Sequence, residues 1–136
     1  MQPLMLLVAD HASVEPNTGK LNVLGAFRQI IASNFPLQYS RFSIVIKLGG
    51  EVGEIQRECT LTVILTNEDG KEILQFSAPF TMPVAHQTGM QPELNAVVEL
   101  NNVVFPHPGE YQVSVFVDDQ VISNTAIILT LKTTQE

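Results

Sequence analysis

Apolar and polar residues alternate with a period of two along most of this chain. The clearest case sets Cys59, Leu61, Val63 and Leu65 against Thr60, Thr62 and Thr66, with Ile64 the one apolar residue in the polar phase. Phe42, Ile44, Ile46 and Leu48 alternate likewise with Ser43, Val45 and Lys47. Tyr111, Val113, Val115 and Val117 alternate with Gln112, Ser114 and Phe116. Such alternation sends one set of side chains to each face of a β-strand. The many Val, Ile and Thr residues agree, because β-branched side chains pack well on a pleated surface.

Turn residues fall between the runs. Glu15-Pro16-Asn17-Thr18-Gly19 divides the first two, with Gly19 expected at positive φ, and Asn34-Phe35-Pro36 ends the second. Gly49-Gly50 to Gly53-Glu54 and the hairpin signal Asn67-Glu68-Asp69-Gly70 follow. Pro83 to Pro92 is the longest irregular stretch, and Pro106-His107-Pro108-Gly109 makes the last corner. The pattern predicts about eight strands, near 3–10, 21–32, 40–49, 56–66, 71–80, 93–104, 110–117 and 121–132. No segment shows a sustained helical stripe. The expected fold is all-β, a two-sheet antiparallel β-sandwich of immunoglobulin-like architecture in a single domain over residues 1–136. Tyr111, just after the corner, is expected to be a tyrosine corner, its ring buried and its hydroxyl bonded to nearby backbone.

A chain of 136 residues can bury a core without disulfides or metal, and 45% apolar against 15% charged residues excludes disorder over most of its length. Seven basic and fourteen acidic residues give a net charge of −7, and the basic ones are scattered. Nucleic acid and anionic lipid are therefore not expected partners. Cys59 stands alone, so no intrachain disulfide can form. The apolar run Met1–Ala9 stops at Asp10, far short of a bilayer span. A cytoplasmic protein without membrane insertion is expected.

Candidate chemistry is thin. Thr18-Gly19-Lys20 matches the end of a phosphate-binding loop, but Val14 stands where its first glycine belongs and Leu21 follows the lysine. His11, His86 and His107 lie in expected loops, without the close spacing that nucleates a zinc site. Asp118 and Asp119, with Glu110, lack the calcium-loop pattern and read as turn formers. Cys59 is in phase with buried residues, Asp10 and His11 point to opposite faces, and Glu51 and Glu54 sit in a glycine-rich turn. No catalytic residue, cofactor site or metal site is expected, and the chain is not expected to be an enzyme.

The opening Leu7-Val8-Ala9-Asp10-His11-Ala12-Ser13-Val14, then Gly19-Lys20-Leu21-Asn22-Val23-Leu24-Gly25-Ala26-Phe27, resembles a family of bacterial domains of unknown function. Phe35-Pro36 and the late Val104-Phe105-Pro106, Pro108-Gly109 and Tyr111 are similar to it too. The resemblance implies one bacterial β-sandwich domain. It brings no activity and no site residues.

What stands out is apolar side chains in polar phases: Phe116, Ile64 and Val45. Several of them on one sheet imply a covered face, hence a protein partner or a second copy. The expected interface is Phe116, Ile64 and Ile122, in a non-catalytic interaction or assembly module that forms a homodimer or binds another protein. A single bulge near Ser123 would reverse the faces of the last strand. The alternative is a small-ligand binding domain whose pocket is formed by loops 10–20 and 83–92.

Overall fold

The computed structural model describes residues 1–85 and 89–133. Among these residues nine strands follow one another: β1 (Gln2–Val14), β2 (Leu21–Phe27), β3 (Gln29–Ala32), β4 (Leu37–Gly49), β5 (Glu58–Thr66), β6 (Glu72–Thr81), β7 (Glu93–Phe105), β8 (Gly109–Val117) and β9 (Gln120–Leu131). A 3-10 turn, Val52–Glu54, precedes β5. The strands form a four-stranded sheet, β2-β1-β4-β7, packed on a five-stranded sheet, β3-β9-β8-β5-β6. This is the all-β, immunoglobulin-like sandwich that the alternation predicts.

Between the sheets lies one core, because the in-phase apolar residues of both point the same way. Phe42, Ile44 and Ile46 of β4 meet Leu61, Val63 and Leu65 of β5, Val113 and Val115 of β8, and Ile127 and Leu129 of β9, all buried. Tyr111 is fully buried at one end of this core, its ring edge-on to Phe105 at 5.0 Å. Its hydroxyl donates to the His107 carbonyl oxygen at 2.6 Å and accepts from the His107 amide at 3.3 Å. One side chain thus satisfies two backbone groups of the corner, as a tyrosine corner does.

The expected second strand, 21–32, is two strands. β2 pairs antiparallel with β1, and only Arg28 separates it from β3, which pairs parallel with β9 in the other sheet. The Ile128 amide donates to the Arg28 carbonyl oxygen at 2.8 Å, so the crossing residue is held by β9. A chain that steps between sheets in one residue stitches their edges together on that side.

The turns form as their residues dictate. Gly19 lies at φ +71° and Gly70 at +79°, while Asn67 Oδ1 accepts from the amides of Asp69 and Lys71, both at 2.9 Å. Asp118 and Asp119 take φ of 49° and 68°, the two positive values of a tight primed hairpin turn between β8 and β9.

A second, smaller cluster lies on the outer side of the four-stranded sheet. Ala9, Ala12 and Val45 are buried there, with Leu7, Leu21, Val23 and Val97 packed against them. The tip of the β1–β2 hairpin reaches across to β7, where Asn95 Nδ2 donates to the Gly19 carbonyl oxygen at 2.7 Å. Val45, expected on a face awaiting a partner, has no exposed surface. The chain's own hairpin covers it.

Candidate functional site

Among the described residues nothing covers the outer face of the five-stranded sheet in this way. Its central strands present Thr60, Thr62, Ile64 and Thr66 from β5 and Gln112, Ser114 and Phe116 from β8. Thr62 lies opposite Phe116, which lies opposite Val121 on its other side; Ile64 sits between Ser114 and Gln75. Phe116 and Ile64 are half-buried and Val121 is 54% exposed. Further along, β9 and β3 add Asn124, Ala126, exposed Ile128 and exposed Ile31.

Ile122 is not part of this face. The pairing steps from Val115–Ser123 to Phe116–Val121, so Ile122 is the extra residue of a β-bulge and packs against the core. The bulge turns Val121 outward in its place. Sequence alternation alone cannot locate a bulge, and it left Val121, Ile31 and Ile128 unnamed.

The middle of the face is also bare of charge. Glu58, Glu72 and Glu110 lie only where strands begin, and no charged side chain stands between them on the outward positions of β5, β8 and β9. In a chain of net charge −7 this is the neutral part of an acidic surface.

Loops 10–20 and 83–92 do approach one another. Residues 10–14 belong to β1, and its end joins the second loop in lining a cavity of about 300 Å³ with Val14, Gly19, Val84, Met90, Leu94 and Asn95. Among the described residues Asn95 Oδ1 is buried without a hydrogen-bond partner. His86 lies outside the described residues.

The remaining chemistry stays dispersed. His11 is on β1 opposite Leu24, and His107 is in the exposed last corner. Among the described residues no three His, Cys, Asp or Glu side chains come together as a metal site. Glu110 is the second residue of β8 while Asp118 and Asp119 follow its end, so they do not converge. Asp118 Oδ1 instead accepts from the Thr60 amide at 2.9 Å and pins the hairpin tip to β5.

Thr18-Gly19-Lys20 is a turn. Glu15 accepts from the Thr18 hydroxyl and from the amides of Thr18 and Asn17, and these bonds, the hydroxyl first, hold its carboxyl below the usual range. Burial pushes the Cys59 thiol up, with the Asp118 carboxylate adding to the rise, which makes it a poor nucleophile. Asp10 lies against Gly25, which sits at φ +70° where a side chain would collide with the carboxylate. The Tyr39 hydroxyl approaches Asp10 Oδ1 at 3.4 Å; burial, then that negative charge, raises the phenol above its ordinary value. Asp10 faces a phenol and a glycine, not an imidazole.

Among the described residues no helix is long and apolar enough to cross a membrane. No curated protein sequence matches the chain. Solved structures of similar fold include two from Pseudomonas species. One is an immunoglobulin-like protein from Pseudomonas aeruginosa, 14% identical, with a TM-score of 0.45 over 90% of each chain. The other is an alkylpurine DNA glycosylase from Pseudomonas fluorescens bound to DNA containing an abasic-site analogue, also 14% identical, with a TM-score of 0.47. That match covers 92% of this chain but spans only 30% of the glycosylase. The model of a family of unknown function, DUF6941, matches residues 4–130.

Proposed function

The chain belongs to DUF6941, a family of unknown function, and from that premise we propose that it is a non-catalytic interaction module that binds a second copy of itself. The contact is the outer face of the five-stranded sheet. The single observation behind this reading is the lack of charge in the middle of that face. Two acidic molecules repel wherever their surfaces are charged, so a neutral sheet face is where two copies meet at least cost. Five strands at ~4.8 Å spacing and about seven uncharged residues at ~3.3 Å rise give at most ~550 Å², because β3 has only four residues, which is the size of a small interface. Phe116 and Val121 supply an apolar patch at the end of the face next to the Asp118-Asp119 turn, with Ile64 beside it and threonine, serine and asparagine toward the middle. The same reading keeps the protein in the cytoplasm, where a lone buried thiol such as Cys59 stays reduced.

Sedimentation across micromolar to high micromolar concentrations tests it. Wild-type protein should self-associate, and Phe116→Asp should weaken that association without lowering the melting temperature. Wild-type protein that stays monomeric throughout, or a variant that unfolds, overturns the proposal.

A second reading, small-ligand binding, is supported by the cavity between the β1–β2 hairpin tip and residues 83–95. Its walls are apolar apart from Gln91, Glu93 and Asn95, so a small, largely apolar ligand would suit it. A metabolite that raises the melting temperature of the wild type, but not of Val84→Glu, would favour this reading over the first.

A further inference from the structure

The two sheets differ by one strand, and the difference falls on one side of the sandwich. β2 and β3 are edges joined by Arg28 alone, so they lie one above the other. Counting inward from that stitched side sets β1 over β9, β4 over β8 and β7 over β5, which leaves β6 with no strand opposite it. The position beside β7 is a recess one strand wide, and β6 is an overhang of the same width.

Exposure on β6 agrees. Phe76 lies opposite Val63 and shares its inward phase, yet Phe76 is 40% exposed while Val63 is 1% exposed. Leu74 and Phe80, inward-phased opposite buried Leu65 and Cys59, are only half-buried. A cavity of about 410 Å³ opens on this side between the start of β6 (Glu72, Ile73, Leu74) and the end of β7 (Val103, Val104). The start of one strand beside the end of the other means that β6 and β7 run antiparallel.

We propose that this side is a half-lap joint for a second copy of the chain, distinct from the neutral sheet face. Under a two-fold axis parallel to the strands, each copy's β6 enters the recess beside the other's β7. The new neighbours are antiparallel, and each inward-phased row of Leu74 and Phe76 is covered by its counterpart. An overhang and a recess of equal width on one molecule make the surface self-complementary, as an isologous contact requires. Joining β7 directly to β7 fails, because each β6 would occupy the place of the other copy's β5. Pro79 removes one donor from the edge of β6 and Ile73 is the extra residue of a β-bulge, so the regular edge of the joint runs through Leu74–Ala78. Neither β6 nor β7 contributes Phe116, so joint and face can be occupied together and copies can assemble beyond a dimer.

The test combines both contacts in sedimentation experiments on the full chain. Wild-type protein should form species larger than dimers as concentration rises. Phe76→Glu and Phe116→Asp should each stop at dimers, and the double variant should be monomeric. Phe116→Asp protein that is already monomeric overturns the joint and spares the face; Phe76→Glu protein that is already monomeric does the reverse. Assembly that ignores Phe76→Glu also overturns the joint. Hydrogen exchange on the wild type guards against a misfolded variant: amides on the free edge of β7 should gain protection at least tenfold as concentration rises. Unchanged exchange there overturns the joint.

Discussion

Val45 and Phe116 carry the same signal in sequence and meet opposite fates in the fold. Each is an apolar residue in the polar phase of a strand. Val45, on β4, is sealed under the β1–β2 hairpin with Ala9 and Ala12. Phe116, on β8, stays half-exposed beside Val121 on a sheet face whose middle carries no charge. An apolar residue out of phase therefore demands a cover without naming it. The cover can be the chain itself or another molecule, and only tertiary structure separates the two.

The sharpest way to break this contrast is a charge at each position. Val45→Asp would place a carboxylate where no water reaches, which costs more than about 4 kcal/mol and should unfold the protein in urea titrations. A Val45→Asp variant of near-normal stability would show that the hairpin does not cover the sheet. Tyr111→Phe probes the corner that anchors β8. It should cost about 0.5–1.5 kcal/mol, the net value of one hydrogen bond, read as a shift in the urea midpoint with an unchanged slope.

Cys59 gives a smaller effect. Its pKa is raised in the fold, so the neutral thiol is favoured there. The associated stability is fully present below the unfolded thiol's value of about 8.5 and is lost as pH rises through the folded value. Native protein at pH 8 should resist alkylation and react with one equivalent once unfolded; fast native labelling would contradict the buried placement. Least of all should Phe116→Asp disturb the fold, within about 0.5 kcal/mol, because its charge faces water.

Much of the architecture was legible because local chemistry decides it. Asn67 to Gly70, Gly19 and the Pro108-Gly109-Glu110-Tyr111 corner form from their own residues, and the in-phase rows of β4, β5 and β8 are the core. Three features were not legible. Two adjacent polar residues, Arg28 and Gln29, interrupt the alternation between Phe27 and Ile30, but nothing in them specifies a change of sheet or the parallel pairing with β9. β1 continues to Val14 because β2 pairs with it there, a tertiary choice that put His11 on a strand rather than in a loop. The bulge at Ile122 reverses the faces of one segment of β9, which exchanges Ile122 for Val121 on the outer surface. Of the expected interface, Phe116 and Ile64 lie on one face and Ile122 does not.

The most direct test of the central claim places a thiol in the middle of the neutral face. Asn124 is exposed on β9 opposite Ser114, and native Cys59 is buried, so Asn124→Cys supplies one reactive group there. Its alkylation rate should fall as protein concentration rises into the high micromolar range, while His11→Cys on the other sheet reacts at a constant rate. An Asn124→Cys rate that does not depend on concentration would contradict the assignment of this face to a second copy.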